Sequence, residues 1–146
     1  MSTYSFQDIT ASLSGVTGIV DLGYGSANGD EGITVTMAEA KNTMTTGADG
    51  EVMHSLHAGK SGTLSVNLMK TSPVNKKLSL MYNAQSLSSA AWGNNVIVLR
   101  NKASGDLVTA RSVAFQKQPD FTNPKVAGLV TWVFDCGKID ELLGEF

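Results

Sequence analysis

Two stretches of strict alternation constrain this chain more than any other feature. Residues 33–37, Ile33-Thr34-Val35-Thr36-Met37, place apolar side chains on one face and threonines on the other, and residues 63–68, Thr63-Leu64-Ser65-Val66-Asn67-Leu68, repeat the pattern. A period of two marks a half-buried strand. The residues between are polar, glycine-bearing and too many for a tight turn. The chain therefore carries two strands that bracket a long arm, residues 41–55. Ala48-Asp49-Gly50 supplies a turn within it, since Asp and Gly both tolerate positive φ. The arm reads as a β-hairpin with its tip near Asp49. Its flanks, residues 42–46 and 51–54, carry Met44 and Met53 in exposed-looking positions. Methionine adapts to irregular partner surfaces.

The rest of the chain extends the β pattern. Tyr4, Phe6, Ile9, Ala11 and Leu13 alternate loosely, which predicts a first strand with an irregularity near Gln7-Asp8. A turn at 15–18, a short strand at 19–22 and a glycine-dense loop at 23–30 follow. The third strand, residues 33–39, has Ile33, Val35 and Met37 inside and Thr34, Thr36 and Ala38 outside. Residues 62–70 form the fourth. Ser72 suits an N-cap and Pro73 the first helical position, and Val74, Leu78 and Met81 recur at helical spacing. One flanking helix is expected at residues 73–86. Trp92, in the irregular link after it, either seals the end of the fold or meets a partner. A strand at 95–101 turns at 102–106 and returns at 107–117. There Val108, Ala110, Ser112, Ala114 and Gln116 alternate against Thr109, Arg111, Val113 and Phe115. Pro119 and Pro124 bracket a loop. Residues 129–136 are a β-prone last strand with Trp132 and Phe134 in the core, and 139–143 read as a short tail element of one helical turn. Seven or eight strands, one helix and no βαβ rhythm predict a mainly β fold. That fold is an antiparallel β-sandwich or small barrel, one domain over residues 1–146.

Composition narrows the function. A chain of 146 residues buries roughly 70% of its unfolded surface, enough for a core without staples. Only 16% of residues are charged, and Ser, Thr, Asn and Gly take their place, which suits either self-association or a β-rich domain with long turns. A net charge of −2 gives no basic field for nucleic acid. The one cysteine, Cys136, permits no intrachain disulfide, which is compatible with a reducing compartment. The first residues lack the basic and apolar regions of a secretory signal. No apolar run approaches the roughly 18 residues of a membrane span, so no membrane anchor is expected.

Three apparent chemical motifs dissolve on inspection. Gly59-Lys60-Ser61 resembles the end of a phosphate loop, but His54 stands where the first glycine belongs, and a strand follows instead of a helix. His54 and His57 lack a third ligand nearby, so no metal is expected; they read as polar residues at the arm base or at a subunit contact, whose protonation could tune assembly. No Gly-x-Ser-x-Gly elbow accompanies any triad. The carboxylate pairs Asp30-Glu31 and Asp140-Glu141 read as solvated charge. No catalytic residue and no cofactor are assigned, and the chain is not expected to be an enzyme.

Several stretches together carry a resemblance. Residues 31–35, Lys41-Asn42-Thr43-Met44, Gly47-Ala48-Asp49-Gly50, Met53 through Gly62 and Lys70-Thr71-Ser72-Pro73-Val74-Asn75 resemble the tail tube proteins of contractile-tailed bacteriophages. So do residues 1–6, Ala114-Phe115 and residues 132–140. These proteins are similar in fold to type VI secretion tube proteins. The resemblance implies hexameric rings whose inner strands join around a channel and stack into a hollow tube. It implies partners too: further copies of the chain, a contractile sheath protein, baseplate and terminator proteins, and genomic DNA passing through without specific binding. The location implied is the virion tail, assembled in the host cytoplasm. On that reading Thr34, Thr36, Ala38, Thr63, Ser65 and Asn67 face the lumen, with Glu39 as the acidic residue that repels DNA. The arm residues Asn42, Thr43, Met44, Thr45, Asp49, Glu51, Val52 and Met53 reach the next ring. A tube-capping, baseplate or tail-completion protein of similar fold is the alternative.

Overall fold

The computed structural model describes residues 2–146, apart from the side chain of Glu31. Met1 and the Glu31 half of the expected Asp30–Glu31 carboxylate pair therefore lie outside the described residues, while Asp30 is exposed. In chain order the elements are β1 (Ile9–Gly15), β2 (Gly18–Asp21), β3 (Asn28–Met37), β4 (Asn42–Thr46), β5 (Val52–Leu56) and β6 (Gly62–Met69), then α1 (Val74–Gln85), β7 (Asn95–Asn101), β8 (Leu107–Lys117) and β9 (Leu129–Leu142). Strands hold 49% of the residues, so the fold is mainly β. Seven strands form one antiparallel sheet in the order β2-β1-β7-β8-β9-β6-β3, while β4 and β5 pair only with each other. The large sheet curls into a half-barrel, with α1 beside it.

Alternation explains the core. Leu64, Val66 and Leu68 on β6 are fully buried and lie opposite Phe134, Trp132 and Val130 of β9. Phe115 on β8 is the centre of an aromatic cluster, with ring centroids 4.9 Å from Phe134, 5.6 Å from Tyr82 and 5.9 Å from Trp132. Trp92 joins it edge-on through Tyr82 at 5.8 Å, so this side chain turns inward and packs against the core. Such edge-to-face pairs favour the aromatic quadrupole. The helix buries Val74, Leu78, Met81 and Gln85, one stripe at helical spacing. Ser72 Oγ accepts from the Val74 amide at 3.3 Å and donates to the Ser26 carbonyl at 2.6 Å, so it caps the helix and ties it to the loop before β3. At the other end Gln85 and Asn95 exchange amide hydrogen bonds of 2.7 and 2.8 Å.

The structure departs from the sequence expectation in five places. Residues 6–8 form a 3-10 turn capped by Ser5, so β1 begins only at Ile9. β3 starts at Asn28, inside the expected loop; Asn28 pairs with Leu68 and Ile33 with Val66, so the residues between bulge out of the ladder. Met37, expected inside, is 42% exposed at the end of that strand. In β8, Ser112 takes φ +53°, and the resulting bulge puts Val108, Ala110, Val113 and Phe115 all in the core, although simple alternation assigns them to opposite faces. The expected helical turn at 139–143 is instead the end of β9: Ile139 pairs with Ala110 and Leu142 with Leu107. Backbone pairing to β8 outweighs the weak local propensity there.

Candidate assembly surfaces

The first surface is a small polar wall across β3, β6 and β9. Directly opposed residues of an antiparallel pair share a face. Thr34 lies opposite Ser65 and Thr36 opposite Thr63. Thr63 in turn faces Asp135, Ser65 faces Val133, and Asn67 faces Thr131. Thr34 and Thr36 are exposed, Thr63 and Ser65 half-buried. Asn67 is a correction to the expected lining: it shares the register but is only 5% exposed. Its Nδ2 donates to the Gly32 carbonyl at 3.2 Å and its Oδ1 accepts from the Thr131 hydroxyl at 2.7 Å. The amide thus pins the β3 bulge, and burial keeps it from a channel surface.

Ala38 and Glu39 lie past the end of β3. The Ala38 amide still donates to the Ser61 carbonyl at 3.0 Å. The Glu39 carboxylate lies against Gly59, so close that a Cβ there would fall 2.0 Å from Oε1. Glu39 belongs to the root of the arm. The acid on the wall itself is Asp135, which accepts from Gln116 Nε2 at 3.2 Å. Sequence reading passed over Asp135 because it sits between Phe134 and Cys136; the period-two parity of the last strand, with Trp132 and Phe134 inside, places it outward. The wall's border on β8 carries Ala114 opposite Asp135 and Lys117 opposite Val133.

The second surface is the arm. Asn42 pairs with Leu56, Met44 with His54 and Thr46 with Val52; Thr43 pairs with Ser55 and Thr45 with Met53. Asp49 Oδ1 accepts from the Glu51 amide at 3.2 Å and shapes the tip. Every residue of β4 is exposed, and so are Val52, Met53, His54 and Leu56 of β5. The two histidines bond within this region: His54 Nδ1 with Asn42 Nδ2 at 3.2 Å, and His57 Nε2 with Thr43 Oγ1 at 2.7 Å. They brace the hairpin root, and the structure does not bring them to one ligand set. Lys60 lies 3.3 Å from Asp140, half-exposed, and its carbonyl accepts from the Ile139 amide, so the apparent phosphate loop is the entry to β6. Lys138 approaches the same carboxylate at 3.9 Å. Asp140 is thus ion-paired, not freely solvated. No group of three or more His, Cys, Asp or Glu among the described residues is placed to hold a metal ion. No helix there is long and apolar enough to cross a membrane.

Comparison with known proteins gives the family. At the level of structure, the chain is similar to the tube-terminating cap of the anti-feeding prophage, with TM-score 0.53 and 6% identity over 99% of this chain and 95% of that one. It is similar to a chain of the sheath/tube terminator of the PVC extracellular contractile injection system, with TM-score 0.58 and 11% identity over 97% and 98%. A chain of the PVC sheath–tube complex matches with TM-score 0.58 and 9% identity over 97% and 92%. At these identities the likeness is one of fold. No curated protein matches by sequence. The family model for the Bacteriophage PhiTE tail tube protein matches residues 1–144, and the chain therefore belongs to that tail tube family.

Proposed function

We propose that this protein is the repeating subunit of the tail tube of a contractile phage. Six copies close a ring, and rings stack into a hollow tube inside the sheath. A baseplate lies at one end and a terminator at the other. Genomic DNA passes through the lumen without specific binding. The subunit works by assembly alone, without chemistry or cofactor, in a virion tail built in the host cytoplasm.

The observation that carries this reading is the wall of Thr34, Thr36, Thr63 and Ser65, beside β3, an edge strand of the sheet. An open edge offers unpaired backbone groups to a neighbouring chain, and ring closure satisfies them. A wall of hydroxyls bordered by Asp135, with no lysine or arginine on β3, on β6 or among the β9 residues paired with β6, would let phosphates slide past. Ala38, just past β3, borders this wall; Asn67 and Glu39 take no part in it.

The arm supplies the stacking contact through Asn42, Thr43, Met44, Thr45, Asp49, Glu51, Val52 and Met53. A lone two-stranded hairpin is at best marginally stable in water. One that presents Met44, Val52, Met53 and Leu56 to solvent gains stability by docking on the next ring. Electron microscopy of the purified protein tests the reading: the expected products are open-ended tubes of stacked rings.

The alternative of a cap or terminator has its own support, since a chain of a sheath/tube terminator shares this fold as closely as a chain of a sheath–tube complex does, and a cap chain shares it only slightly less. Single rings that never stack would favour it.

A further inference from the structure

Two exposed apolar patches of unlike charge lie at opposite ends of β1 and β7. The first joins α1 to the β1–β2 turn. Val16, Ile19, Leu80 and Leu87 are each more than half exposed there, and Ile19, Lys77 and Leu80 line one groove. Lys76 and Lys77 are exposed beside them, and α1 has no acidic residue to balance them. The buried stripe of the helix is already spent on the core, so Leu80 on its outer face and Leu87, in the turn just past its end, stay exposed with no partner among the described residues.

The second patch is the end of β9 and the segment after it. Leu142 pairs with Leu107, and Leu142, Leu143 and Phe146 are each more than half exposed. Residues 140–146 contain three acids and no cation. Asp140 is taken by Lys60 and Lys138, which leaves Glu141 and Glu145 free of an ion pair among the described residues. Arg100, opposite Leu107, and Lys102 in the following turn are the cations at this end of β7. The segment is held in place: the Glu145 amide donates to the Ser104 carbonyl at 2.9 Å and the Gly144 amide to Asp106 Oδ1 at 2.5 Å.

The ladder fixes where these patches sit. Gly15 pairs with Gly18 at one end of β1, while Ile9 pairs with Asn101 at the other, next to Arg100 and Leu107. Seven strand residues separate the ends, about 20 Å. Two different, complementary surfaces at opposite ends of one molecule cannot satisfy each other within a copy. They make a heterologous contact, which propagates copy to copy as a ring or a stack.

We infer that residues 141–146 of one copy dock on the α1/β2 face of the next, with Leu142, Leu143 and Phe146 against Leu80, Leu87 and Ile19, and Glu141 and Glu145 against Lys76 and Lys77. The occupant is a second copy of this chain. The contact rests on the self-assembly proposed above and assigns a subunit surface separate from the arm and from the wall.

Charge exchange in the full-length protein tests it. The substitutions Lys76→Glu and Lys77→Glu together should raise the protein concentration needed for assembly by about tenfold or more. Glu141→Lys with Glu145→Lys should do the same. Mixing the two variants should restore assembly, because each then meets an opposite charge on its neighbour. All four positions are at the surface, so circular dichroism and melting should match the parent. Unchanged assembly of the Lys76/Lys77 variant, or a mixture that stays as defective as its components, would overturn the contact and leave the tube reading intact. A parent protein that never assembles would overturn both.

Discussion

Ser112 determines which side of β8 meets the core. At φ +53° it advances the strand by one residue relative to β7, so the pairs Val108/Ala110 and Val113/Phe115 point the same way. Gly137 on β9 makes this possible, since a Cβ there would lie 2.8 Å from that of Ser112. Gly137→Ala should therefore cost about 1–3 kcal/mol, the scale of local backbone strain, and lower the urea midpoint without changing the slope. None of this was legible in the sequence: 107–117 alternates acceptably in either parity, and serine does not announce a bulge. The Gln85–Asn95 exchange was equally hidden, because polar residues at a helix end and a strand start look solvent-facing. Both are fully buried. Gln85→Ala leaves the Asn95 amide without its partner and should destabilise by about 1–3 kcal/mol in thermal or urea unfolding. Cys136 gives a pH signature. Burial, and then the neighbouring Asp135 charge, push its thiol from the ordinary 9.0 up to about 11. A raised folded pKa means that the unfolded chain ionises first, so this contribution is complete below pH 9.0 and is lost as pH rises through about 11. Unfolding free energies measured on either side of that window should fall more for the parent than for Cys136→Ala; equal falls would contradict the assignment.

At the level of elements, the sequence reading was strongest where alternation met clear punctuation. β7 and β8 fall on the expected residues 95–101 and 107–117, and α1 lies within one residue of the expected ends. The arm is a hairpin as read, with its turn between Thr46 and Val52, because Asp49-Gly50 chemistry acts locally. Strand ends set by distant partners were not legible. β3 begins five residues early because Asn28 finds Leu68, and β9 runs on to Leu142 because β8 offers it a ladder. The arm's independence leads to a prediction. It has its own two-stranded sheet, and most of its side chains are exposed. Removing residues 42–53 and closing the gap with a short glycine linker should leave the melting transition of the body nearly unchanged. It should also abolish stacking while leaving the monomer folded. Normal tubes from that variant would remove the arm from the stacking contact.

For the whole molecule, a mainly β fold of the tail tube family, the wall is where sequence and structure combine most directly. Thr34, Thr36, Thr63 and Ser65 were readable as one polar face because period two needs no tertiary knowledge. That Asn67 is withdrawn from it, and that Asp135 joins it, depended on the bulge of β3 and on the β6–β9 register, which only the assembled sheet defines. If this face lines a DNA channel, Thr34→Lys with Ser65→Lys should leave tubes intact yet slow DNA release from virions by about tenfold or more, since each lysine adds a phosphate contact. Unaltered release kinetics would place the wall elsewhere. The central claim is that this subunit propagates a tube. Negative-stain or cryo-electron microscopy of the purified protein at high concentration tests it most directly. Open-ended hollow tubes of regularly stacked rings are the predicted result. Isolated single rings, or monomers at every concentration, would contradict it.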